Sequence, residues 1–406
     1  MIQPPSSAGP PNDSTTDAIG AAQPRETCAP STLDESGIVE CARRIGETIL
    51  GPNAEISDQM PGPNRANFEA LAEAGLLGIG APRQFGGMEA SGAVQREVTR
   101  ILASYCGVTT FIQAQHHGPC RMIASGPNEA LKHQLLPDLV SGRKMCGISF
   151  AHLRRPGPPV LRAIPEDGGF RLNGAAPWVT GWGLMNQVVF GATLPDGRFV
   201  YLWSPGDRAH FPEVFADISL PADPGSLTAS GPLALCAMNA SSTVVLTCEN
   251  WFIPEAHKLS ESDRETTRSN DRNGVLGATT MPLGCGEASV RVLCTAVEKR
   301  DLPAIRRASA AFAAEWEGLR DEIEAWIPRT SEPSFFETAV QLRARCIEFA
   351  VRAAHAAVTA VSGAANLRSH PAQRLLREAM FYTIQAQTQE VMDATLARLE
   401  RRIDDQ

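Results

Sequence analysis

Hydrophobic periodicity divides this chain into three stretches, and their order constrains the fold more than any single motif. From about residue 37, Ile38, Ala42, Ile45 and Ile49 recur at spacings of three and four, as do Val94, Val98, Ile101 and Tyr105, then Leu131, Leu135 and Leu139. Each series predicts a helix with one buried face. TTFIQAQHHGPC continues the helical pattern up to a break at Gly118-Pro119. Near residue 144 the period shortens. GFRLNG, QVVFGATL, RFVYLWSP and STVVLTCENWFIP read as strands, with Asp196-Gly197 predicting a hairpin and Asp167-Gly168-Gly169 a second turn. From Asn273 long helical patterns return over 273–299, 304–326, 335–361 and 371–403, with Pro303, Pro328, Pro333 and Pro371 at or near the joints. That last block has the size of a four-helix bundle.

The expected class is α+β: a helical N-terminal domain (37–143), a central antiparallel β-domain (144–258) and a C-terminal four-helix bundle (259–406). The absence of alternating βαβ units argues against a Rossmann dinucleotide fold, and SGAAN at 362–366 reads as a tight turn rather than a phosphate loop. Residues 1–36, rich in Pro, Ser, Thr and Ala, have too little apolar surface to offset the entropy of ordering and are expected to form a disordered tail. They also lack the basic start and apolar stretch of a secretory signal. No apolar run approaches the ~20 residues that a bilayer span requires. A net charge of −8 without a long basic run argues against nucleic acid as a partner. The 10 cysteines are scattered, with no CxxC and no zinc-like spacing, so no metal is expected and a reduced, cytoplasmic compartment is.

LNGAAPWVTGW (172–182) is the stretch most suggestive of chemistry. On a strand, Trp178 and Thr180 stand two apart and face the same side, so an indole and a hydroxyl point together into one space.

The order of regimes, together with several motifs, resembles the acyl-CoA dehydrogenase superfamily of FAD flavoproteins, as a divergent member. The likeness is carried by FEALAEAGLLGIGAPRQFGGMEAS (68–91), LLPDLVSGRKMCGISFA (135–151), FRLNGAAPWVTG (170–181), NWFIPEAHKL (250–259) and HPAQRLLREAMFY (370–382). It implies that Trp178 lies against the dimethylbenzene side of the flavin and that Thr180 offers its hydroxyl near N5. It implies further that Ile148, Phe150 and Ala151 run along the ring's edge. It also implies an acyl thioester substrate, on coenzyme A or an acyl-carrier protein, and a homodimer or homotetramer.

The chain departs from the family where the base is expected. The usual catalytic Glu falls on Ala386 in FYTIQAQT (381–388), and the alternative position, on the first bundle helix, falls on Gly274. The family's phosphate loop is replaced by AHLRRPGPP (151–159), leaving Arg154, Arg155 or Arg300 as substitute charges. His116, His117 and Asp271 are the candidate bases. Glu287 is a further carboxylate near the first bundle helix, whereas Glu378 reads as a structural partner of Arg374 or Arg377. Three functions compete: oxidation of an acyl thioester, in keeping with a specialised biosynthetic role; a flavin-dependent monooxygenase, which needs no α-proton base but carries Gln385 where several such relatives have His; and a non-catalytic scaffold.

Overall fold

The computed structural model describes residues 33–206, 221 and 223–404; the tail expected over 1–36 lies outside the described residues except for its last four. Those four already lead into structure. Asp34 caps helix α1 (Glu35–Ile45) by accepting from the Gly37 N–H, and a π-turn over Gly46–Leu50 joins it to α2 (Gly51–Gln59). Then follow α3 (Arg65–Glu73), α4 (Gly92–Tyr105), α5 (Gly107–Ser125) and α6 (Glu129–Val140). Ser91 caps α4 and Asn128 caps α6 in the same way. Ile38, Ala42, Ile45, Val98, Ile101, Leu131, Leu135 and Leu139 are buried, as their spacing requires.

The break expected at Gly118-Pro119 is absent, because α5 runs through both residues. A proline disfavours helix in the residue before it partly through that residue's Cβ, and Gly118 has none. Pro119, Cys120 and Ile123 are all buried, so packing offsets the missing N–H.

One sheet fills the centre, built from β1 (Cys146–Ser149), β2 (Leu161–Glu166), β3 (Gly169–Val179), β4 (Gln187–Thr193), β5 (Phe199–Pro205), β6 (Ser226–Ala229), β7 (Val244–Pro254) and β8 (Lys258–Ser262). Its order is β6-β7-β3-β2-β4-β5-β8, with β1 also on β4. Both expected turns form: Gly168 (φ +79°) lies between β2 and β3, and Gly197 (φ +87°) between β4 and β5. The sheet is mixed rather than purely antiparallel. β1 and β2 both lie parallel to β4, because the β2–β3 excursion intervenes before the chain returns beside β1.

The C-terminal helices are α7 (Arg264–Asn273), α8 (Thr280–Arg300), α9 (Pro303–Trp326), α10 (Phe335–Val361), α11 (Pro371–Tyr382) and α12 (Gln389–Asp404). The helix expected over 371–403 is interrupted at 383–388, where Ala386 adopts φ +48°. Ile384 and Ala386 continue the apolar period, so the interruption leaves no trace in the pattern; Arg343 of α10 holds the Gln385 carbonyl from outside at 2.8 Å.

A buried ion pair locks α11 onto the N-terminal helices. Arg374 donates to Glu378 at 2.7 Å and to Glu55 of α2 at 3.0 Å, while Arg377 pairs with Asp58. Burial pushes the Glu378 carboxyl up, against the opposing pull of Arg374. Buried thiols are spread over the layers: Cys120 against β1, Cys248 in the sheet core and Cys346 in the bundle are each pushed up to about 12 by burial. Among the described residues no helix is long and apolar enough to cross a membrane.

Removing one member of a buried pair strands the other charge. Glu378→Ala is expected to cost about 3–5 kcal/mol in urea unfolding, and the double replacement Arg374→Met/Glu378→Leu distinctly less. Equal losses in the two variants would contradict the buried-pair account.

Candidate functional site

The wall begins with a proline in the middle of a ladder. Ala176 pairs with Leu246 and Val179 with Val244, so two residues, Pro177 and Trp178, stand opposite the single Val245. Proline has no N–H to give the ladder, and a bulge accommodates it. Trp178 takes φ +62°, a left-handed conformation unusual for a bulky side chain. The simple alternation expected for Trp178 and Thr180 therefore does not hold. The strand ends at Val179, and the indole is 47% exposed while Thr180 is only 3% exposed.

Thr180 is tied into a row of hydroxyls. Its Oγ1 lies 3.1 Å from that of Thr243, which lies 2.8 Å from Ser241 Oγ. The Gly181 N–H donates to the Ser241 carbonyl at 2.7 Å. Gly181 sits at φ +85° with no room for a Cβ, which would lie 2.7 Å from Met185. The facing turn is bounded by two more left-handed residues, Met238 (φ +58°) and Ser242 (φ +48°). Strain of this kind clusters where surroundings over-determine the backbone.

β1 supplies the adjoining edge. Ser149 donates to the Pro177 carbonyl at 3.4 Å, which joins β1 to the bulge. Ile148 and Phe150 are half-buried, and Ala151 is exposed at the start of a tight turn over Ala151–Arg154. The Phe150 ring meets Tyr201 edge-on at 5.7 Å, with Gly191 leaving space for its Cβ. Arg154 stacks 5.9 Å from the Phe150 ring and forms a bidentate ion pair with Asp271 of α7, both contacts at 2.7 Å. Sequence reasoning gave these two side chains separate tasks, phosphate binding and proton removal. The structure pairs them, and each holds the charge that the other would have used. Arg155 is exposed on the same turn, and Arg300 donates to the Ala360 carbonyl at the far end of α8.

The histidines are braces rather than free bases. His116 is fully buried; its Nδ1 accepts from the Cys146 N–H at 3.2 Å, and its Nε2 donates to the Leu139 carbonyl at 3.0 Å. One ring thus pins α5 to the end of α6 and to the start of β1. Burial depresses its pKa to about 4. His117 donates from Nε2 to the Leu76 carbonyl at 3.0 Å and is depressed to about 3, by burial and then by His116. Glu287 is engaged by Arg100 and by Arg291.

Ala386 and Gly274, where the resemblance puts the base, are both exposed. Between them lies a residue that sequence reasoning missed. Arg343 donates to the carbonyls of Gln385 (2.8 Å) and Val275 (3.4 Å), the immediate neighbours of the two positions, while its Nε has no partner. It is 4% exposed, and burial lowers its pKa to about 10. The available signal was its place in the buried stripe Ala339, Arg343, Cys346, Ile347, Ala350.

The family model for "Acyl-CoA dehydrogenase, N-terminal domain" matches residues 32–143, and that for "Acyl-CoA dehydrogenase, C-terminal domain" matches 294–399. An acyl-CoA dehydrogenase of Bacillus subtilis (strain 168) is 23% identical over 387 residues, taking in 90% of this chain and 98% of that one. Among solved structures, butyryl-CoA dehydrogenase from Megasphaera elsdenii superposes with a TM-score of 0.74 at 18% identity, covering 90% of this chain and 97% of the other. A dibenzothiophene monooxygenase from Paenibacillus sp. A11-2 superposes at 0.72 with 14% identity, covering 88% and 95%.

The His116 brace has a pH signature. Its pKa is depressed on folding, so its contribution is fully present above the unfolded value near 6.5 and is lost as pH falls toward 4, about 3 kcal/mol in all. His116→Gln, which keeps a donor for Leu139, is expected to flatten the acid limb of urea-unfolding free energy by about that amount relative to wild type. Parallel pH curves for the two proteins would refute the assignment.

Proposed function

The chain belongs to the acyl-CoA dehydrogenase family, and from that premise we propose that it is an FAD-dependent oxidoreductase acting on an acyl thioester carried by coenzyme A or by an acyl-carrier protein. The observation that carries this reading is the wall formed by Trp178, Thr180 and Thr243. Half of the Trp178 indole is uncovered, and its backbone is left-handed. Both features are costly in isolation and accounted for if a flat conjugated ring covers the indole. The hydroxyl row also suits that ring. Thr180 can accept from Thr243 and still donate its own proton outward, and a chain of hydroxyls strengthens the last donor. Bound FAD would supply the two-electron acceptor.

The chain's own residues then divide the work. Trp178 packs against the dimethylbenzene side, Thr180 donates at the reactive edge, and Ile148, Phe150 and Ala151 line the border. Arg154 has its charge matched by Asp271, which leaves Arg155 as the exposed cation on that turn for the phosphate end. Met392, Leu396 and Leu399 expose an apolar stripe along α12, with Ile384 just before it, and this face suits a second copy of the chain in a homodimer or homotetramer.

A second reading keeps the wall and changes the reaction. Every base considered from the sequence is engaged: Asp271 by Arg154, His116 through both ring nitrogens, His117 by Leu76, Glu287 by two arginines and Glu378 by Arg374. A flavin-dependent monooxygenase removes no α-proton and needs none of them.

Anaerobic mixing of the FAD-loaded protein with acyl-CoA and acyl-carrier panels separates the readings. Bleaching by a thioester alone supports oxidation; oxygen-dependent product formed only with a partner reductase supports the monooxygenase; a chain with no affinity for FAD contradicts both. Thr180→Ala is expected to slow flavin reduction by about 100-fold and Thr243→Val by about tenfold, while Trp178→Ala chiefly weakens FAD binding. Stopped-flow reduction rates and FAD titrations read these effects.

A further inference from the structure

Arg343 is an unusual cation for where it sits. Three arginines are buried among the described residues. Arg100 meets Glu97 and Glu287, and Arg374 meets Glu378 and Glu55. Arg343 touches only two backbone carbonyls, and among the described residues no carboxylate lies within ion-pair distance of it. An interior guanidinium matched only by peptide dipoles leaves much of its desolvation cost uncompensated.

Its surroundings indicate what would compensate it. The two carbonyls belong to Val275, next to Gly274, and to Gln385, next to Ala386. This chain has only a hydrogen atom at Gly274 and a methyl group at Ala386, and both positions are exposed. Two buried polar atoms at this joint also lack partners: the donor Arg343 Nε and the side-chain oxygen of Gln385. Rotating that amide by half a turn presents its NH₂ instead, so both side chains can donate to one anion.

Resting on the thioester reading above, we infer that Arg343 recognises a carboxylate brought by the ligand beside Ala386 and Gly274. The substrate class is then an acyl thioester whose acyl chain bears a second, free carboxylate, the half-thioester of a short dicarboxylic acid. A guanidinium suits this task, since its planar donors match a carboxylate and its charge persists when buried. Gln385 orients the same group. Arg343 is thus a specificity-determining residue, and it takes no part in proton or electron transfer.

Two unreactive probes test this: the thioethers of pantetheine with a butyl chain and with a carboxypropyl chain. Both are titrated into the FAD-loaded protein, with affinity read by calorimetry and by the shift of the flavin absorbance bands. Wild type is expected to bind the carboxypropyl probe at least about tenfold more tightly, the yield of one charge-assisted contact. Arg343→Met is expected to abolish the preference and Arg343→Lys to keep part of it. Ala386→Glu places a carboxylate beside the same guanidinium, so it too should abolish the preference; this variant decides the matter if Arg343→Met does not fold. Equal affinities in wild type, or a preference that survives Arg343→Met or Ala386→Glu, would overturn the inference. A calorimetric preference without FAD binding or any flavin shift would instead defeat the flavin reading and leave carboxylate recognition standing.

Discussion

The β3–β7 ladder is the constraint from which the site geometry follows. It is the longest pairing in the sheet, eleven residues on each strand, and its register shifts twice, once between Leu172 and Gly174 and once at a proline that cannot donate. The chain resolves that conflict with a bulge at Pro177 and Trp178. The bulge uncovers the indole, ends the strand at Val179 and sends Thr180 inward to the hydroxyl row. Ser149, donating to the Pro177 carbonyl, carries the same local geometry into β1. An ordinary donor in place of Pro177 would favour a continuous ladder and a flatter wall.

Charge is distributed around this frame in pairs. Arg154 and Asp271 fasten the turn after β1 to α7, Arg374 and Glu55 fasten α11 to α2, and Arg100 with Glu287 fastens α4 to α8. Each pair joins elements distant in sequence, and each withdraws a titratable group from chemistry. Arg343 breaks the rule, and it does so at the joint between α11 and α12, where it meets only backbone carbonyls.

Much of the architecture was legible because periodicity reports burial directly. The three regimes, the two glycine turns and the proline-marked joints all follow from patterns local in sequence. What escaped depended on contacts between distant segments. Gly118-Pro119 carries a strong breaker signal, yet α5 continues because the glycine removes part of the clash and the helix is packed on several sides. The interruption at 383–388 has no breaker at all; the carbonyl it frees at Gln385 is met by a guanidinium more than forty positions away. His116 reads as a catalytic type, but its burial and its two backbone partners come from α6 and β1. Within the candidate site, the Trp-x-Thr spacing mispredicted the faces of the two side chains, because simple alternation takes no account of the ladder donor that Pro177 lacks.

The buried thiols have a consequence of their own. Cys120, Cys248 and Cys346 lie in different layers and stay protonated at neutral pH, so an alkylating reagent reaches each only when its own layer breathes. These three of the buried thiols among the described residues therefore act as stopwatches for the strata they lie in, and the spread among their labelling rates would tell whether those strata come apart together or in sequence.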